Sequence, residues 1–450
     1  MTGLALMGAF VLAIIFLILM ISKWKIHPFL SLLFVSLVFG LIGGIPLAEI
    51  TDVIGEGFAA TFKSFGLVVI FGTLIGFILE KTGAAFQLAD AIVRVIGKKH
   101  PVLAIQLMGW VVCIPVFSDS GFVILNPVRK ALAQRTGASP ATMAIALSAG
   151  LFTSHVFIPP TPGPLASAAN LGLGENLLLV MALGALVSIP VMIAAYFYSV
   201  WVGPKIITPE CEAVPDGDVE AAYNELKNSY TRLPSTLLSL TPIVVPIVLM
   251  AIGSIASALG YSGVLTFAGT PMIALGIGFL FAVLLLADTH MMDRFYTFVE
   301  DGLRTVGPII LITAAGGVLG RVISSTDVVD FISNNATQLA SLGLFFPFLV
   351  SVLFKTAQGS ATVAMVTTSS LVAPLLPTLG LESPVQVGLA VMAISAGSLV
   401  VSHANDSHFW VVTNFSKMTP QQAYRSQTAV TGVMGCTAMV FIWILGLFLV

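Results

Sequence analysis

Four ionisable residues interrupt otherwise apolar stretches, each beside small polar neighbours: Asp119 within Ser118-Asp119-Ser120-Gly121, His155 just ahead of four closely spaced prolines, and His403 and Asp406 within the run 402–410, "SHANDSHFW". A carboxylate or imidazole so placed can carry a proton or accept a hydrogen bond from a ligand hydroxyl. Helix capping is the plain alternative for the two aspartates, and a satisfied structural hydrogen bond for the two histidines. Ser118, Ser120, Thr161, Ser360, Thr362 and Asn405 add hydrogen-bond partners, with Gly121 and Gly359 at the same two polar tips. Lys355 either offsets a ligand's negative charge or pairs with an acid, and His408 reads as a flanking residue. The chain has no His-Glu-x-x-His, phosphate-binding loop or nucleophile elbow. Cys113, Cys211 and Cys436 are too far apart in sequence for a metal or disulfide framework. Neither an enzyme nor a cofactor is expected.

The elements that position these groups must be membrane helices. Of 450 residues 57% are hydrophobic and 9% charged, against roughly a quarter charged in soluble domains. The net charge of -2 gives no electrostatic reason to bind nucleic acid. The first apolar run, 3–22, has no preceding positive charge and no small-residue cleavage site, so it is expected to span rather than to be a removed signal.

A span needs about 20 mostly apolar residues. Ten windows qualify: 3–22, 28–46, 64–80, 140–172, 176–201, 234–258, 264–287, 305–322, 384–415 and 426–449. Two further stretches, 100–135 and 342–378, are too long for one crossing and carry polar residues at their middles. The first is basic at both ends, through Lys98, Lys99, His100, Arg129, Lys130 and Arg135, so it is expected to enter from the cytoplasm, turn at 118–121 and return. With the N-terminus outside, every Lys and Arg except Lys63, Arg321 and Lys355 falls on the cytoplasmic side. Two full spans per stretch is the alternative. The acidic run 202–233, with Glu210, Glu212, Asp216, Asp218, Glu220 and Glu225, reads as a cytoplasmic linker.

The halves resemble each other. The shift that sets Gly66 over Gly307 and Gly76 over Gly317 also sets Ser118–Gly121 over Gly359–Thr362, and "ALSAGLFTSH" (146–155) resembles "AISAGSLVVSH" (393–403) with Gly150 over Gly397. Five crossings and one hairpin per half would turn the copies upside down relative to each other, the architecture of many secondary transporters. The expected fold is therefore an all-α polytopic membrane protein: a first repeat at 1–201, the linker at 202–233 and a second, inverted repeat at 234–450, with ten transmembrane helices, two re-entrant hairpins and interrupted helices at mid-membrane. Non-helical backbone at that depth must be buried or line a polar cavity. Such breaks are expected at 115–121, 357–362, 154–164 and 402–410, where new half-helices present N–H groups and the positive dipole end. Together with the hydroxyls, this describes a pocket for a small hydroxylated acid.

On "IPVFSDSGFVILNP" (114–127), "SHVFIPPTPGP" (154–164) and "SHANDSHFW" (402–410), the chain resembles the gluconate permease family of the ion-transporter superfamily over nearly its full length. The resemblance implies proton-coupled uptake of gluconate or a related hydroxy-carboxylate across the bacterial inner membrane, with two hairpins carrying the ligand in a domain that slides against a scaffold. Departures fall at Ser118 and Ser120 around the retained Asp119, at Thr161 where members have His, and at His408 where they have Gly. The residues expected to bind substrate are Ser118, Asp119, Ser120, Gly121, Thr161, Gly359, Ser360, Thr362 and Asn405, with Asp119, His155, His403 and Asp406 for proton coupling. The expected partners are a small organic anion, protons and the lipid bilayer, with a homodimeric second copy left open. Sodium coupling and a D-serine or other organic-acid substrate are the alternatives within the fold. A channel or a membrane-embedded enzyme are the alternatives outside it.

Overall fold

In the computed structural model, residues 3–96, 99–211, 227–228, 230, 232–328, 331 and 342–449 are described, and these are all-helical. The first half holds α1 (Gly3–Ser22), α2 (Pro28–Ile42), α3 (Ile50–Lys81), α4 (Ala84–Ile96), α5 (Pro101–Val112), α6 (Ser118–Thr136), α7 (Pro140–Phe157), α8 (Pro162–Asn170) and α9 (Leu177–Val202). The second holds α10 (Thr236–Ala258), α11 (Pro271–Asp288), α12 (Phe295–Ser324), α13 (Phe345–Gln358), α14 (Ala361–Val372), α15 (Pro384–Leu399), α16 (Ser407–Phe415) and α17 (Ala429–Leu449), with only shorter helical turns between them among the described residues.

Local sequence sets these boundaries. Proline opens α2, α5, α7, α8, α11 and α15, where its missing N–H has no helical acceptor to lose. Ser139 caps α7, and Ser383 caps α15 in a reciprocal box with Gln386. Gly137 and Gly359 end α6 and α13 with φ of 68° and 85°, a left-handed turn that costs glycine little.

Six stretches among the described residues are long and apolar enough to cross a membrane, and α3, bent by 44° between Lys63 and Gly66, makes a seventh. Of the other three expected crossings, two are apolar helices whose spans, Ala5–Ile21 within α1 and Pro28–Ile42 in α2, are shorter than those seven, and 384–415 is broken into α15 and α16. The expected break in 140–172 is present, since α7 ends at Phe157 and α8 starts at Pro162. One position needs correcting. The turn of the first hairpin lies at 113–117, not 118–121, because Cys113 to Phe117 leave the helix while Ser118 to Gly121 already form the first turn of α6. Glu210 is nearly buried and bridges Arg129 at 2.9 Å and Lys130 at 3.1 Å; Glu212 to Glu225 lie outside the described residues.

At the centre stand α7 and α15, buried over 141–157 and 387–399. A helix apolar on all sides is stable only when surrounded. Their small residues let neighbours approach backbone to backbone. Gly150 of α7 lies against the Gln106 carbonyl of α5, and Gly397 of α15 against the Phe348 carbonyl of α13, so the matched glycines seat each hairpin's first arm on its broken helix. Outside this pair, α3 and α12 run antiparallel along each other, Gly57 meeting Val318 and Gly302 meeting Leu74. The opposite face of α3 reaches the breaks, Gly72 against Pro160 and Gly76 against the Pro115 carbonyl.

A side chain at Gly150 or Gly397 would have to displace backbone, which overpacking series put at about 1–3 kcal/mol or more. Gly150→Leu and Gly397→Leu are expected to abolish a monodisperse size-exclusion peak in detergent. Gly432→Ala, where no atom lies within reach of a new Cβ, is expected to leave it intact.

Candidate functional site

The breaks leave helix starts with unspent donors. At the start of α6 the N–H groups of Ser118, Asp119 and Ser120 have no intrahelical acceptor, as is true of Ala361 and Thr362 at the start of α14. At α16, Asp406 caps the helix by accepting from the His408 N–H at 3.1 Å. These three N-termini converge on one cavity of about 360 Å³. Its wall is completed by Phe117, Phe152, His155, Thr305, Ile309 and Ser407. Three positive dipole ends facing one polar hollow are chemically suited to an anion.

Of the residues expected to act, Ser118, Asp119, Ser120, His155, Ser360, Thr362 and Asp406 line this cavity. Five others lie behind it. Gly121 packs on Leu151, and the Thr161 hydroxyl donates to the Ile158 carbonyl at 2.7 Å, closing the end of α7. Asn405 donates to the Thr356 carbonyl at 2.9 Å, and His403 Nε2 contacts the same carbonyl at 3.2 Å, both tying the second break to the hairpin. Gly359 presses on the Asn405 carbonyl, where a Cβ would overlap it. These five hold the breaks in place and do not face the cavity.

Two charged pairs organise the site. Asp119, about one-third exposed to the cavity, accepts from Ser407 Oγ at 2.6 Å through Oδ2 and faces His408 Nδ1 at 3.0 Å through Oδ1. His408 Nε2 continues to Ser148 Oγ at 2.9 Å, and Ser148 donates on to Gln427 Oε1 at 2.6 Å. Two bare acceptors would repel at that distance, so the contact between His408 Nδ1 and Asp119 holds one proton. Phe152 stacks on His408 at 5.0 Å and on His155 at 6.2 Å. His155 Nδ1 itself is buried with no hydrogen-bond partner.

The second pair is deeper. Lys355 Nζ, wholly buried, lies 2.7 Å from Asp406 Oδ2 and donates to the Gly359 carbonyl, while Ser402 Oγ donates to the same Asp406 oxygen. Lys355 is thus spent on an acid and not free for a ligand's charge.

Sequence reasoning passed over His408, Ser407 and Phe152. The one available signal was that His408 follows Asp406 by two residues and so sits in the first turn of the new helix, the same relation that puts Asp119 in α6. Loss of the glycine at the hairpin tip tests this geometry. Gly359→Val, strained at φ 85° and blocked by Asn405, is expected to weaken ligand-induced thermal stabilisation by tenfold or more in concentration, about 1.4 kcal/mol.

Comparison with known proteins bears on the whole chain. An uncharacterised permease of Haemophilus influenzae is 33% identical over 414 residues, covering 89% of this chain and 84% of the relative. A high-affinity gluconate transporter of Escherichia coli is 29% identical over 443 residues (94% and 97%), and an L-idonate transporter of the same organism 29% identical over 441 (94% and 96%). Among solved structures, MtrF of Neisseria gonorrhoeae, described as illuminating a class of antimetabolite efflux pumps, superposes with a TM-score of 0.66 at 14% identity, covering 93% of this chain and 94% of its own, which extends the likeness to the fold alone. The family model described as GntP family permease matches residues 5–448, and the chain belongs to that permease family.

Proposed function

We propose that the protein is a proton-coupled symporter that brings gluconate, or a sugar acid of the same size and hydroxylation, across the bacterial inner membrane. The observation that carries the proposal is the shared cavity: three helix N-termini suited to a carboxylate face the same hollow as the Asp119 carboxylate. Two unit negative charges about 5 Å apart repel by about 3 kcal/mol at an effective dielectric constant near 20. A proton on the Asp119–His408 pair removes that penalty, so anion and proton favour each other's binding. Ser118, Ser120, Ser360 and Thr362 supply hydroxyl and N–H partners for the sugar chain, and His155, with its orphaned nitrogen, one more. In this assignment Asp119 and His408 carry the proton, Asp406 holds Lys355 and caps α16, and Gly121, Thr161, Gly359, Asn405 and His403 brace the breaks. Gluconate and idonate differ only in the configuration of one hydroxyl-bearing carbon, so one constellation of donors serves both.

The architecture we propose has ten crossings, the hairpins α5–α6 and α13–α14, and inverted repeats over 1–201 and 234–450 joined by the linker, with the N-terminus outside. Order and contacts support it. α5, α6, α7 and α8 are followed in the second half by α13, α14, α15 and α16, with α8 against α14 and α16 against α6. Each hairpin's return arm therefore meets the other half's broken helix.

One proton per monoanion is electroneutral, so a pH difference of one unit would support about tenfold accumulation, ~1.4 kcal/mol. Proteoliposomes acid outside and free of sodium are expected to accumulate radiolabelled gluconate, and Asp119→Asn to fall to the level of protein-free vesicles. Accumulation driven only by sodium, or undiminished in Asp119→Asn, contradicts the assignment.

A further inference from the structure

Lys355 has a role the anion cavity does not use. Its ammonium is enclosed by hard oxygen donors at the second break: the Gly359 carbonyl at the C-terminal end of α13, and Asp406 Oδ2 at 2.7 Å, to which Ser402 Oγ also donates. Its remaining side faces the Phe152 ring, 5.4 Å from the centroid. Unwound carbonyls and half-helix C-terminal ends are the groups with which broken-helix transporters hold a coupling cation, and here the Asp406 carboxylate joins the Gly359 carbonyl. Here the cation is covalently attached. The first break lacks both charges: Thr161 stands at the cap position of α8 that Asp406 fills in α16, and α5 ends on Val111 and Val112 without a lysine. The acid and the ammonium thus occur as a matched set, present at one break and absent at the other.

We propose that Lys355 is a tethered cation filling a coupling-ion position, so that this chain binds no sodium there, and that removing the ammonium turns the position into a sodium site. A lone Asp406 carboxylate at this depth is strongly unfavourable, and any small cation that fits between Gly359 and Asp406 relieves it. A tethered charge cannot leave with each transport cycle, which leaves the proton of the Asp119–His408 pair as the coupling ion; in this consequence the inference rests on the proton-coupled reading above.

The test reads cation binding directly. Wild type and Lys355→Ala, purified in detergent in choline chloride, are titrated with sodium, methylammonium or potassium chloride while the unfolding temperature is followed. Wild type is expected to respond to none of them specifically. Lys355→Ala is expected to start lower and to be raised by sodium and by methylammonium, a free stand-in for the missing ammonium. The double variant Lys355→Met with Asp406→Asn, with neither charge, is expected to respond to none. Sodium-specific stabilisation of wild type, or a folded Lys355→Ala indifferent to both cations, overturns the proposal. Purification with either cation present throughout covers an unstable variant: recovery only in those media supports the proposal, and recovery in none counts against it. In proteoliposomes, gluconate uptake should become sodium-dependent in Lys355→Ala alone. Absence of any gluconate uptake would remove the transport reading while leaving the cation titration to decide the role of Lys355.

Discussion

A peptide group that loses its helical partner inside a bilayer has no water to turn to, and each one left bare costs several kcal/mol. Among the described residues the helices are interrupted at 113–117, 158–161, 359–360 and 400–406, and their neighbours are arranged around satisfying the groups set free. At the first hairpin the Cys113 thiol donates to the Val116 carbonyl, and at the first broken helix Thr161 closes on Ile158. At the second, Thr428 donates to the Ser402 carbonyl and Thr431 accepts from the Ser402 N–H, while Asn405 reaches back to Thr356. The donors left over belong to the starts of α6 and α14. They face one cavity, so a constraint on stability also leaves unspent N–H donors around a polar hollow.

Charge is distributed around that cavity by depth. Lys355 is wholly buried and paired with Asp406 at the cavity wall, and breaking such a pair by removing one member typically costs about 3–5 kcal/mol. Asp119 remains partly open to the cavity and is held by Ser407 and His408, groups that tolerate either of its protonation states. The buried pair fixes where the α13–α14 tip meets the start of α16. The accessible pair opens on the hollow, and Phe152, stacked on both histidines and 5.4 Å from the Lys355 ammonium, touches both pairs.

Much of this could be read from residue order because membrane burial imposes simple rules. The prolines at 159–164 end α7 at Phe157, the glycine at 359 ends α13, and the matched Gly150 and Gly397 prove to be contact points for the hairpin arms. Apart from His155 in the last turn of α7, the expected residues that line the cavity are those at helix starts, where type and position act together. Others were invisible for a physical reason. Thr161, Asn405 and His403 are polar residues at breaks, and sequence does not say whether a side chain there turns toward a ligand or back to an orphaned carbonyl. His408 was passed over because its partner, Asp119, lies in the other half of the chain, and only packing of α16 on α6 brings them together. The first hairpin's turn was placed a few residues late because Ser-Asp-Ser-Gly suits a loop as well as the first turn of a helix.

The claim on which the account stands is that the starts of α6, α14 and α16 enclose the substrate. An experimental structure of the purified protein with gluconate tests it most directly. The account predicts density for the acid between Ser118–Ser120, Ser360–Thr362 and Ser407–His408, with its carboxylate within hydrogen-bond reach of the α6 or α14 N–H groups. Gluconate bound elsewhere, with this hollow filled by side chains or lipid, would contradict it.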